Sequence, residues 1–372
     1  MKTYSGHISF RRKNPNIKIF SHIYFEMNSA VTLNSGYTMP LLGLGYEYSL
    51  FLINNSTYCA VNEEECFNAV KTAIKAGYRS IDTAVAYGNQ KIVGKAIKSC
   101  IDEGIITRSD IFVTTKLWLT DWKPEDVERS VKLCLEELQL EYIDLFLIHQ
   151  SVFLNLAPED DKKRREGYFF DYQLVPADDP TLRLGYNLEN LKLTWGKMEE
   201  LCGKGLLRSI GVSNFSAKRI RDLVSVCKIK PAVNQIELHP YLQQWETKAT
   251  CEEFGIYLMA YYPLGGAVST RSTKAASPMD DPVIIKIAKA HNKTPAQVMI
   301  RWAVQRGTIC IPKSVHENRI IENGQIYDFI LGDKEMSEIR SLDKGYRFAR
   351  RSFLLPSPMD WKDLWDGEYV SD

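Results

Sequence analysis

Asp82, Tyr87, Lys116 and His149 follow one another at intervals of 5, 29 and 33 residues. All but Tyr87 lie in, or at the end of, an apolar run that reads as a β-strand, and Tyr87 follows such a run in a short turn. Successive strand ends of a parallel barrel converge on one mouth, so residues this far apart in sequence can meet there. A carboxylate, a phenol, an ammonium and an imidazole in one pocket form a proton-donating device. Singly, each has a simpler reading. Asp82 could cap the turn at Thr83, and Tyr87 could be a turn aromatic beside Gly88 and Asn89. Lys116 could be a solvated strand end, and His149 a core or loop histidine. The four together carry the chemical meaning.

The elements that must position them follow a regular alternation. Val31–Leu33 and Tyr37–Met39 flank Asn34-Ser35-Gly36, which predicts a hairpin. Residues 41–45 read as a first buried strand. Further strands are expected at 79–83, 111–117, 142–148, 208–213, 232–238, 257–262 and 308–312. Helices are expected from Asn62, an N-cap with Glu65 three residues on, to about Ala76, and at 89–100, 124–138, 192–204, 216–227, 245–254 and 281–306. Thr294-Pro295 splits the last into two, and a short helix starts at His316. Eight strands alternating with helices predict a (β/α)8 barrel of the TIM type. An open doubly wound sheet would bring a G-x-G-x-x-G turn after the first strand, and Gly43-Leu44-Gly45-Tyr46-Glu47-Tyr48 fails it at the third glycine. Two segments break the rhythm: an insertion at 150–190 after the fourth strand, with Tyr168, Phe169, Phe170, Tyr172 and Tyr186, and a C-terminal loop at 345–372 with Phe348, Phe353, Trp361 and Trp365. Long loops that keep aromatics read as lids or pocket walls.

Composition narrows the class. Of 372 residues, 45% are hydrophobic and 25% charged, so a sizeable core can be buried. A formal net charge of +1 gives no general pull toward nucleic acid or membrane. No apolar stretch approaches the length of a bilayer span. The eight cysteines form no C-x-x-C pair, which favours reduced thiols in the cytoplasm over a disulfide framework or zinc site. No histidine pair at barrel-metal spacing supports a metal hydrolase built on Asp82, His149 and Glu237, so no metal is expected. The first 26 residues carry Lys2, Arg11, Arg12, Lys13 and Lys18 against Glu26, without a signal-peptide core. Residues 1–29 are read as a disordered extension, with Met27 a candidate start, and residues 30–372 as one barrel domain.

From Gly77-Tyr78-Arg79-Ser80-Ile81-Asp82-Thr83-Ala84-Val85-Ala86-Tyr87-Gly88-Asn89 onward the sequence resembles the aldo-keto reductase family. The likeness continues through Val113–Trp118, Leu145–His149, Ile210–Phe215, Asn234–Pro240 and Ile311–Val315, then Asn318, Arg319, Glu322 and Asn323. Six motifs in order are far stronger than one. The resemblance implies NADPH-dependent reduction of aldehydes and ketones, reversible as alcohol oxidation, by a monomer acting on small carbonyl compounds. Tyr87 is then the general acid. A free tyrosine titrates near pH ~10, and an adjacent ammonium, Lys116, lowers that by stabilising the phenolate. Asp82 keeps Lys116 charged and aimed, while His149 donates to the carbonyl oxygen and orients the substrate. Ser213, Asn214 and Gln235 match the positions that bind the nicotinamide carboxamide, Tyr261 the ring-stacking aromatic, and Leu264 a further cofactor contact. Lys313, Ser314, Val315 and Arg319 follow the eighth strand, a common barrel phosphate site, and two cations suit the extra 2′-phosphate of NADPH. Glu322 and Asn323 match adenine contacts.

The chain departs from the family at three places. Glu47 stands where a pocket aromatic is usual, so it is a candidate substrate contact. Gln150 replaces a Trp after His149, and Tyr262 replaces a Ser that contacts pyrophosphate. The competing class is a nucleotide-binding sensor or regulatory barrel subunit with little turnover, since such relatives can keep all four residues.

Overall fold

The hairpin comes first. In the computed structural model, which describes residues 30–45, 62–165, 180–265, 277–351 and 354–368, β1 (Ala30–Thr32) and β2 (Thr38–Pro40) pair antiparallel with Val31 opposite Met39. The turn between them is pinned against the barrel. Ser35 Oγ lies 2.7 Å from Ser209 Oγ, and Asn34 Nδ2 donates to the Pro231 carbonyl at 2.7 Å. Leu33 and Met39 are buried, so the hairpin closes one end of the barrel with an apolar face.

Eight parallel strands make the barrel: β3 (Leu44–Gly45), β4 (Ser80–Asp82), β5 (Phe112–Leu117), β6 (Ile143–Ile148), β9 (Leu207–Ser213), β10 (Val233–Glu237), β11 (Tyr257–Tyr261) and β12 (Ile309–Cys310). They neighbour one another in chain order, each joined to the next by a helical crossover. The ring closes between the first and last strands. Gly43 N–H donates to the Cys310 carbonyl at 2.9 Å, Cys310 N–H to that of Leu41 at 2.8 Å, and Gly45 N–H to that of Pro312 at 3.1 Å. Gly45 is required at that seam, because a Cβ there would meet the Ile311 carbonyl oxygen at 2.4 Å. The expected (β/α)8 barrel is therefore the fold. Its strands are buried on both faces, as parallel strands covered by helices must be.

The helices form for local reasons. In Glu63–Lys75, Asn62 accepts from the Glu65 N–H at 3.1 Å, three glutamates fill the first turn and Lys75 the last. Cys66, Ala69, Val70, Ala73 and Ile74 make its buried stripe, and Gly77 ends it at φ +98°. The expected helix over 281–306 is indeed two, Pro282–His291 and Pro295–Gln305, separated by Asn292 at φ +51° and restarted by a Thr294–Gln297 capping box. The helix expected from 192 starts earlier, at Leu188, because Asn187 caps it through the Asn190 N–H. Among the described residues no helix is long and apolar enough to cross a membrane.

Both irregular segments carry structure of their own. In the insertion, β7 (Phe153–Leu154) pairs with β8 (Arg183–Gly185), and the charged run forms the helix Pro158–Arg165. The C-terminal segment is strapped to the strand ends. Glu237 accepts the N–H groups of Phe348 and Ala349 at 2.7 and 2.9 Å. Further on, Asp366 and Glu368 receive Ser216 Oγ and the Ala217 N–H at the N-terminus of helix Ala217–Val226, where the helix dipole favours acids. Residues 1–29, read as an extension, and Glu47 lie outside the described residues.

Candidate active site

The turn after β4 builds the first part of the site. Val85–Tyr87 forms a single 3₁₀ turn, closed by Gly88 at φ +63° and braced by Thr83 Oγ1 donating to Asn89 Oδ1 at 2.6 Å. That turn brings the Tyr87 ring over the end of β5. Lys116 is fully buried there and donates three ways: to Asp82 Oδ1 at 2.6 Å, to the Thr83 carbonyl at 2.9 Å and to Tyr87 Oη at 3.3 Å. His149 follows the last residue of β6. Its ring stands edge-on to Tyr87, with centroids 5.6 Å apart, and to Trp118 at 5.4 Å. The four expected residues thus form one buried cluster at the strand ends.

Electrostatics divide the cluster. Burial pushes the Asp82 carboxyl up, against the opposing pull of Lys116 and of the Gln235 amide. Burial also drives His149 well below its ordinary value, and the positive charges of Lys116 and Arg351 drive it the same way. The imidazole is therefore neutral at neutral pH. Its Nδ1 is buried with no hydrogen-bond partner among the described residues, which leaves Nε2 as the nitrogen for the cleft.

The adjoining strand ends carry the expected carboxamide group of residues. Ser213 Oγ donates to the Gln235 carbonyl at 2.8 Å. Asn214, at φ +62°, donates to the His149 carbonyl at 2.9 Å and accepts from Tyr261 Oη at 2.7 Å. Gln235 Nε2 donates to Asp82 Oδ2 at 2.7 Å. These side chains lie on three neighbouring strand ends and group amides and hydroxyls beside the buried Tyr261 ring, a polar set that fits a flat carboxamide-bearing ring. Leu264 packs at the core edge, and Tyr262 holds φ +50° with its ring edge-on to Tyr261 at 5.3 Å.

Beyond β12, Lys313 and Arg319 are exposed, Ser314 is buried and Val315 half-buried. Ser314 Oγ accepts the His316 N–H at the cap of helix Glu317–Gly324. Cations beside a helix N-terminus fit a phosphate. Glu322 is already engaged, accepting from Thr294 Oγ1 at 2.8 Å, whereas Asn323 is buried nearby on the same helix.

Sequence reasoning missed several contributors. The Thr83 carbonyl has no side-chain signature. Trp118 did have one: it lies two residues past Lys116, and a period of two puts both on one face. Arg351, 5.3 Å from the Tyr261 ring, comes from the strap and carries no local signal. Gln150 is buried, and its Oε1 has no partner among the described residues.

Fold and cluster together define a (β/α)8 barrel with a buried Asp–Lys–Tyr–His cluster at the strand ends. A profile of the Aldo/keto reductase family matches residues 53–344. The Danio rerio protein named aldo-keto reductase family 1 member A1-A is 39% identical over 339 residues, 91% of this chain and 96% of the relative. The Mus musculus member A1 is 38% identical, covering 86% of this chain and 91% of its own. Among solved structures, a Bombyx mori aldo-keto reductase in complex with NADP has a TM-score of 0.73 at 35% identity, covering 91% of this chain and 98% of that one. The aldose reductase of Schistosoma japonicum has a TM-score of 0.73 at 33% identity, covering 87% and 95%. The chain belongs to the aldo/keto reductase family, oxidoreductases that act on carbonyl groups.

Proposed function

We propose that this chain reduces aldehydes and ketones to alcohols with NADPH, Tyr87 being the general acid. The single observation that carries the reading is the buried chain Asp82–Lys116–Tyr87, with His149 edge-on to the phenol. The family's hydride carrier is NADP(H), and the Bombyx mori relative was solved with NADP. When bound, the cofactor supplies hydride to the carbonyl carbon. Tyr87 Oη passes its proton to the carbonyl oxygen, and the Lys116 ammonium stabilises the phenolate left behind. Asp82 keeps Lys116 charged within the burial. The neutral His149 donates from Nε2 to the same oxygen, fixing the carbonyl between two donors; such a contact is worth about 3–4 kcal/mol in the barrier.

Ser213, Asn214, Gln235 and Tyr261 would hold the nicotinamide end, with Leu264 beside them. Lys313, Ser314, Val315 and Arg319 would hold the 2′-phosphate, and Asn323, with Glu322, the adenine. Replacing Lys313 and Arg319 by Met should weaken NADPH binding at least about tenfold while sparing NADH. Unchanged NADPH affinity would sink that assignment. The whole reading is tested with purified chain, NADPH and a panel of aldehydes and ketones, following nicotinamide absorbance. Tight NADPH binding with no turnover across the panel would favour the sensor reading instead.

A further inference from the structure

Asp82 lies on the second barrel strand and Gln235 on the sixth. In a closed ring of eight these are opposite walls, so their 2.7 Å hydrogen bond spans the bore beneath the site. Both partners are buried, and both oxygens of Asp82 are used, Oδ1 by Lys116 and Oδ2 by Gln235. An ionised carboxylate only accepts, so the Gln235 atom facing it must be the amide nitrogen. The amide orientation is therefore dictated by chemistry. A flipped Gln235 would set two acceptors face to face across a buried gap. The backbone of Gln235 is fixed as well, its carbonyl receiving Ser213 Oγ at 2.8 Å and the Asn214 N–H at 2.9 Å. With its nitrogen committed, Gln235 has only Oε1 to offer to anything resting on the strand ends.

We infer that Asp82 has a second role: across the barrel it positions Gln235 so that the glutamine presents an acceptor to the carboxamide N–H of the nicotinamide, and so sets how the ring lies. The inference rests on the nicotinamide reading above and goes beyond it by making Asp82 a positioning residue for the cofactor. The Asp82–Lys116 contact and the Asp82–Gln235 contact then have separable consequences. Loss of the first impairs proton delivery; loss of the second loosens the ring.

The test is a binding cycle on the full chain, read as NADPH dissociation constants by fluorescence titration, with thermal melts to confirm folding. Tyr87→Phe should leave NADPH affinity within about twofold, since it removes the proton donor and keeps Asp82 with both its partners, Lys116 and Gln235. Asp82→Asn and Gln235→Met should each weaken it about tenfold, the effect of one misdirected hydrogen bond. The double variant should be no weaker than Gln235→Met alone, because both changes break one device. A second measurement does not depend on how Asp82→Asn folds. The 3-acetylpyridine analogue of NADP replaces the carboxamide N–H₂ with a methyl group. Wild type should bind it about tenfold more weakly than NADP, and Gln235→Met should bind the two alike. Additive losses in the double variant, or equal wild-type affinity for NADP and its acetyl analogue, would overturn the inference. Failure of wild type to bind NADPH at all would instead overturn the functional reading on which it stands.

Discussion

β6 carries a different charged cluster at each end. At its start, Asp144 accepts from Arg108 at 2.7 Å, from Arg208 at 3.2 Å and from the Val113 N–H at 3.0 Å. The two guanidinium groups lie 3.9 and 3.5 Å from the Tyr142 ring centroid. Just past the strand's other end stands His149, with a buried Nδ1 that has no partner among the described residues, beside a lysine and a carboxylate sealed from water. The first cluster saturates its carboxylate and leaves the arginines partly in solvent. The second seals its lysine and carboxylate from water and sets the phenol and imidazole beside them. Barrels place chemistry at the C-terminal strand ends and stability at the opposite face, and the two clusters of β6 lie at those two ends. Changes at the two ends should therefore move different measurements.

The sharpest break between them is Tyr87→Phe. It removes only the hydroxyl that would deliver the proton, so the carbonyl reductase rate should fall about 10³-fold while the melting temperature stays put. Retained turnover would overturn the mechanism. Glu237→Gln tests whether stability can also reside at the mouth. Burial works against the Glu237 carboxylate, but the His239 hydrogen bond, the charge of Arg347 and the Phe348 N–H outweigh it and hold its pKa low. Removing that charge takes from the buried Arg347, 3.5 Å from the Trp365 ring, the larger of its two favourable carboxylate interactions, the other being with Glu368. The expected loss is about 3 kcal/mol, with earlier proteolytic cutting of the C-terminal strap. A stable variant with an intact strap would show that the strap is held by its aromatics alone. Asp144→Ala should cost about 2 kcal/mol, less than a fully buried pair because Arg108 and Arg208 reach solvent. Its turnover per folded molecule should match wild type, and a fall in that turnover would dissolve the distinction between the two ends.

The two ends were not equally legible. Asp82, Lys116 and His149 each close an apolar run, so strand periodicity alone places them at one mouth, and the order of the motifs tells which chemistry to expect. The Asp144 cluster was invisible because arginines at positions 108 and 208 meet only when β5, β6 and β9 are side by side. The Asp82–Gln235 bond was hidden for the same reason, being a contact across the bore. Short pieces failed differently. Phe153–Leu154 and Arg183–Gly185 are too brief to show a period and pair across the insertion. Helix Asp333–Arg340 buries only Ile339, so it has no apolar stripe to read. The strap is held by single long-range contacts to Glu237, Ser216 and Ala217, which leave no pattern in its own sequence.

The smallest expected effect separates the ends by pH. Burial, then the charges of Lys116 and Arg351, depress His149 in the folded chain. In the unfolded chain it titrates near its ordinary value of about 6.5. Between that value and the depressed one, the unfolded state holds the extra proton, so stability rises with pH. The contribution is complete above about pH 6.5 and is lost as pH falls, by at most about 1.4 kcal/mol per pH unit for one group. Unfolding free energy measured by denaturant titration from neutral to mildly acid pH should show this slope in wild type. His149→Gln should flatten it. Asp144→Ala should lower the whole curve and leave the His149 slope in place, because its contacts to Arg108, Arg208 and the Val113 N–H do not reach the imidazole. Equal slopes in wild type and His149→Gln would mean that the imidazole is not kept neutral by its surroundings, and the donor role assigned to Nε2 would have to be given up.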